Sequence, residues 1–197
     1  QNPAAVSDSS GEWFELYNSS GISVSLTGWT LRDNGSDSHT IQGALTIAAG
    51  GFLVLGNNGN SASNGGVNVD YVYSGFNLAN ADDEIVLVRS DNSIADEVGY
   101  GLAGWPSPNG ASMMLQAPGL DNQSSSNWAL STASLSGGDK GSPGYFESGS
   151  GGGGGGNQAP VVNAGADQTA YWEGSFLTLN LNGAVSDPDG DALTVQW

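Results

Sequence analysis

Cysteine is absent from the 197 residues, which rules out disulfide stapling and thiolate catalysis. Positive charge is almost absent as well. Arg32, Arg89 and Lys140 stand against 20 acidic residues, for a formal net charge of −17. Such a surface repels phosphate backbones and anionic lipid, so direct nucleic-acid binding and membrane adsorption are not expected. It suits a saline extracellular setting, where screening blunts self-repulsion. Only one histidine occurs, His39, and no G-x-S-x-G turn accompanies the many serines. A hydrolytic triad needs a base beside its nucleophile, so His39 reads as a lone surface residue. No apolar run approaches the roughly 20 residues of a membrane span. No stretch repeats apolar residues with the period of a helix.

What the chain does have is turn formers and aromatics: 32 Gly, six Trp, six Tyr and five Phe. Gly11–Leu31 organises the rest. Trp13–Asn18 reads as a strand, with Phe14 and Leu16 on one face and Trp13, Glu15 and Tyr17 on the other. Asn18-Ser19-Ser20-Gly21 is turn chemistry. A second strand is expected from Ile22 to Leu26 and a third from Trp29. His39–Ile41, Ala44–Ile47, Phe52–Gly56, Asp70–Tyr73, Glu84–Arg89 and Ile94–Tyr100 complete the strand-like set, and Ser90-Asp91-Asn92-Ser93 forms a hairpin turn. Short strands separated by turn signals argue for an all-β sandwich. From Gly101 to Phe146 the pattern loosens into a long wrap, pinned by Trp105 and Trp128. Ser148–Asn157, with six consecutive glycines, reads as a flexible tether. Composition restarts after it.

The order E-W-F-E-L-Y-N, then L-T-G-W-T-L, then Ile47–Leu55, Asp83–Val88, Ile94–Gly101 and Gly141-Ser142-Pro143-Gly144 resembles lamin-tail domains, in particular their bacterial secreted branch. That resemblance implies an immunoglobulin-like β-sandwich over residues 1–147. It also implies a signal sequence and a first apolar strand ahead of Gln1. After the linker at 148–157, A-P-V-V-N-A-G-A-D-Q, S-D-P-D-G-D and L-T-V-Q-W resemble the first half of a PKD (polycystic-kidney-disease) repeat, a second immunoglobulin-like sandwich. In that reading Trp197 is its central tryptophan. Residues 158–197 are then a truncated segment, either disordered or completed by another chain, because about 40 residues bury too little to fold alone.

Candidate sites are few. Asp187, Asp189 and Asp191 place carboxylates at i, i+2 and i+4, a spacing suited to wrapping oxygens around Ca²⁺, with Gly190 allowing a tight bend. A plain strand connection is the alternative. Asp33, Asn34 and Asp37 fit an Asx turn better than a metal site. Glu12 and Glu15 lie on opposite faces and cannot pair as acid and base, and Asp82, Asp83 and Glu84 read as solvated charge. Trp13, Tyr17, Tyr71, Tyr73, Tyr100, Trp105 and Trp172 are candidates for a sugar-binding platform, though most Trp and Tyr of a small sandwich are core. Asp96 alternates with Ile94, Val98 and Tyr100, so partial burial beside Arg32 or Arg89 is expected.

The residues therefore point to a non-catalytic accessory module of a secreted or cell-surface protein, engaged in adhesion, spacing or targeting. Its partner would be an extracellular protein or polysaccharide, with calcium as the one candidate cofactor. Two alternatives stand beside it: an accessory domain of an extracellular nuclease or phosphatase whose catalytic domain lies elsewhere, and a carbohydrate-binding module.

Overall fold

The computed structural model describes residues 2–106 and 109–147, and the strands at 161–163 and 184–186. The chain divides into two compact units, Gln1–Gly154 and Gly155–Trp197. In the second, β12 (Val161–Asn163) pairs antiparallel with β13 (Ala184–Ser186). The expected linker, the strands at 177–181 and 193–197, and the carboxylates Asp187, Asp189 and Asp191 lie outside the described residues.

The first unit is an immunoglobulin-like β-sandwich. One sheet has the order β1-β6-β7, formed by Trp13–Tyr17, Phe52–Gly56 and Tyr71–Val72. The facing sheet has the order β4-β3-β8-β9, formed by Ser38–Thr40, Thr30–Arg32, Asp83–Val88 and Ile94–Tyr100. A small ribbon pairs β2 (Val24–Ser25) with β5 (Thr46–Ile47). Among the described residues helical structure amounts to one turn, α1 (Asp8–Gly11), and a 3-10 turn at Ser125–Asn127. Among the described residues no helix is long and apolar enough to cross a membrane.

The alternation in β1 sets the packing. Phe14 and Leu16 face the inter-sheet core of Leu26, Leu31, Ile41, Leu53, Leu55 and Phe76. Phe14, Tyr73 and Phe76 meet as a ring cluster with centroids 5.6–6.2 Å apart. The opposite face of β1 is covered too. Tyr17 packs on Phe52 and Phe146 at 4.8 and 4.9 Å, while Gly141 lies over the Trp13 ring, where a Cβ would come within 2.8 Å. The wrap thus supplies a third layer. Within it β10 (Met113–Leu115) pairs with β11 (Trp128–Leu130), and Trp105 and Trp128 stack at 5.7 Å.

Two expectations change. The second strand does not begin at Ile22, which is 71 % exposed. The buried Asn18 side chain captures that segment first: its Nδ2 donates to the carbonyls of Ile22 (2.7 Å), Ile47 and Ala48, and its Oδ1 accepts from Ser20 N–H and Oγ–H. A side-chain-held turn replaces the first half of the strand. Asp96 is also exposed rather than partly buried, and its carboxylate is held by Asn122 Nδ2 at 3.0 Å to each oxygen, not by arginine. The register shifts beside it: Leu87 faces Asp96 but Val88 faces Ile94, so Ala95 is an inserted residue. The bulge moves Ile94 out of phase with Asp96, Val98 and Tyr100. Arg89 instead lies over the Trp29 ring, 5.5 Å from its centroid, and donates to the Ile94 carbonyl; Arg32 donates to the Asp33 carbonyl and Asn34.

Removing the buried Asn18 amide takes a donor from three carbonyls, although Ile22 keeps Ser20 Oγ–H and Ala48 keeps Gly51 N–H, and it releases the turn at Ser20. Asn18→Ala is expected to lower stability by about 2–4 kcal/mol, measured by urea unfolding. Gly101 ends β9 at φ +87, where a Cβ would sit 1.9 Å from the Ala81 carbonyl oxygen. Gly101→Ala is expected to cost at least about 2 kcal/mol in the same assay.

Candidate functional site

A slot of about 660 Å³ runs through the first unit, within the range of ligand-sized cavities. Its lining includes all five residues of β1 in succession, and Ala95 to Val98 of β9 in succession. Successive side chains of a strand point to opposite faces, so a cavity lined by every residue follows the strand's edge. Both strands are outermost in their sheets. The slot therefore lies between two sheet edges, closed on its remaining side by β10, the segment 118–122 and Trp128.

Its floor is apolar: Phe14, Leu16, Ile85 and Leu87 face it, and Phe14, Leu16 and Ile85 are only half-buried although they belong to the core face. Its walls are mainly acidic, Arg89 being the one cation of the lining. Glu15 stands on β1, Asp96 and Glu97 on β9, and Asp121 on the closing segment. Glu15 accepts a hydrogen bond from Gly144 N–H at 2.7 Å. Burial pushes its carboxyl up to about 7, with the Gly144 bond opposing. Beyond the slot, Glu12 is buried and accepts from Leu78 N–H at 3.3 Å; burial raises its pKa, and that bond lowers it. Glu12 and Glu15 thus have separate partners on opposite faces. Burial together with the Glu12 charge raises the Tyr73 phenol above its ordinary value.

The other singled-out residues are structural. His39 does not stand alone: its Nδ1 lies 3.0 Å from the Ser74 carbonyl and 3.2 Å from Ser74 N, and its Nε2 lies 2.8 Å from the Tyr71 hydroxyl. The Tyr71 oxygen in turn accepts from Gln42 N–H. His39 does not line the slot. Asp33 Oδ1 accepts from Asp37 N–H, four residues on rather than the two of the expected Asx turn, and Asp37 accepts from Asn77. Asp83 accepts from Ala79 N–H and Tyr100 O–H, and Glu84 from Asn34 N–H. Tyr73 and Tyr100 are buried, Tyr17 packs between phenylalanines, and Trp105 lies against Trp128. Among the described residues no three His, Asp or Glu side chains converge to hold a metal ion.

The lamin tail domain pattern matches residues 2–102, just over half of the chain. The chain belongs to the lamin tail domain family. That family is immunoglobulin-like and non-enzymatic, in keeping with the sandwich described above. No curated protein matches the chain. The compact unit that holds the matched residues extends past them. Asp139 accepts from Ala4 and Ala5 N–H, and Glu147 accepts from Ser131, Thr132 and Ala133, so residues 109–147 are built into the same body. Sequence reasoning missed the slot and the burial of Glu15. The only signal was a glutamate placed between Trp13 and Tyr17 on a face that Val54, 3 % exposed, shows to be covered.

Glu15 gives the unit a pH dependence. Below its ordinary value of 4.5 the carboxyl is protonated whether folded or not. Between there and about 7 the unfolded chain has lost the proton and the folded chain has kept it, so stability falls as pH rises. The full effect is on the order of 3 kcal/mol. Glu15→Gln is expected to be the more stable form at pH 8 and to flatten this slope, read as unfolding free energy across pH 4 to about 8.

Proposed function

We propose that this lamin-tail unit is a recognition module of a secreted or cell-surface bacterial protein, binding an extracellular partner for adhesion, spacing or targeting. One observation carries the reading: the slot joins an apolar floor to mainly acidic walls and has no histidine among its lining residues. Such a lining favours holding a ligand over breaking a bond. Its carboxylates also have fixed partners, Gly144 for Glu15 and Asn122 for Asp96. An accessory place beside an extracellular hydrolase is compatible with the same module. A PKD-like character for residues 158–197 belongs to this proposal and rests on the sequence resemblance.

Calcium at Asp187, Asp189 and Asp191 is part of the same reading, supported by the i, i+2, i+4 carboxylate spacing. Melting the full chain with Ca²⁺ and with chelator tests it. Saturation at a hundredfold over the dissociation constant adds about 2.7 kcal/mol, and coincident melting curves would remove calcium. The recognition reading predicts no turnover of ester, phosphodiester or glycosidic substrates by the full chain. Turnover that disappears on filling the slot with Ala95→Trp would overturn it.

A further inference from the structure

The hydrogen bonds Asn57 N–H to Glu12 carbonyl and Asn18 N–H to Gly51 carbonyl fix the phase of the β1–β6 ladder. Even-numbered residues of β1 turn their backbone groups toward β6. Trp13, Glu15 and Tyr17 turn theirs outward, giving three N–H donors and three carbonyl acceptors without a hydrogen bond among the described residues. The edge of β9 across the slot is treated differently. There the Glu97 carbonyl accepts from Gln123 Nε2 and Glu97 N–H donates to Asp96 Oδ1. An edge left open invites another strand, and folded proteins ordinarily blunt it. Here β9 is blunted at its middle outward residue, Glu97, and among the described residues β1 is blunted at none.

We infer that the slot takes an extended peptide strand bearing Lys or Arg, which adds to the sheet by pairing with the outward edge of β1. This rests on the recognition reading above and names its partner. Backbone pairing would supply affinity, and alternate side chains would supply specificity. One set of alternate residues enters the apolar floor at Phe14, Leu16 and Ile85. The other set meets Glu15, while Asp96, on the same face of its sheet as Ile85 and Leu87, and Asp121 border the floor. Charge selects the occupant. A chain of net charge −17 repels a second copy of itself, whereas a cationic strand meets carboxylates on both walls.

The experiment uses the full chain and a synthetic peptide of about eight residues alternating Val and Lys, near the length of an ordinary strand. Binding is measured by calorimetry and by amide hydrogen exchange. Saturable binding with slowed exchange at Trp13, Glu15 and Tyr17 N–H is the expected result. Methylating alternate peptide nitrogens, which spares every side chain but blocks pairing, should weaken binding about tenfold or more. A Val/Glu peptide should not bind. On the protein side, Glu15→Gln should retain pairing with reduced salt dependence. Glu15→Pro, which removes an outward N–H along with the side chain but no N–H directed at β6, should lose it where Glu15→Ala keeps it. Should Glu15→Pro fail to fold, the methylated peptide and the exchange pattern decide the matter on the unaltered chain. No binding, equal binding by the methylated or the Val/Glu peptide, or protection confined to other strands would overturn the inference. A chain that binds no strand and turns nothing over overturns only this inference, whereas turnover at the slot overturns the recognition reading itself.

Discussion

Burial of β1 on both faces is the constraint from which the rest of the lamin-tail unit follows. A sandwich needs only the Phe14–Leu16 side covered by the facing sheet. The side carrying Trp13, Glu15 and Tyr17 is just as rich in aromatic surface, and leaving it in water would expose a contiguous apolar patch. The segment 109–147 answers that need. Phe146 closes the ring cluster with Tyr17 and Phe52, Gly141 admits the Trp13 indole, and Val54 is sealed between. A third layer is therefore intrinsic to the fold, although the family pattern ends at residue 102.

The turns and loops of the unit are fastened by single polar side chains in a protein that has no cysteine to staple them. Asn18 holds the turn ahead of β2 and the loop after β5. Asn64, 3 % exposed, donates to the Asn58 and Val67 carbonyls and accepts from Gly66 and Val67 N–H, ordering a stretch that looks featureless in composition. Glu147 gathers the N–H groups of Thr132 and Ala133. Its burial works against ionisation, but the bonds from Ser131, Thr132 and Ala133 prevail and hold its pKa below the ordinary value. The abundance of Asn, Asp and Ser is thus a means of satisfying backbone groups in a body dominated by turns.

The long strands were legible because their signals are local. Phe52–Gly56 is a continuous apolar run and appears as β6, with four of its five residues buried. Trp13–Tyr17 alternates and appears with the expected division of faces. The hairpin turn at Ser90–Ser93 carries Asn92 at φ +67, a conformation asparagine tolerates. What failed was non-local or hidden in one side chain. Ile22 looks like a strand residue until Asn18 claims its carbonyl. Ile94 looks in phase until Ala95 bulges. The slot was illegible because it depends on which edges the topology leaves unpaired, and no window of sequence encodes that.

Asp139 grips the amides of Ala4 and Ala5, and Gly110 N–H donates to the Asn2 carbonyl, so the two extremities of the lamin-tail body are fastened side by side. Tension drawn through neighbouring segments would reach this clasp before any β ladder felt it. The exposed bonds from Asp139 to the Ala4 and Ala5 amides would part first, ahead of the paired strands.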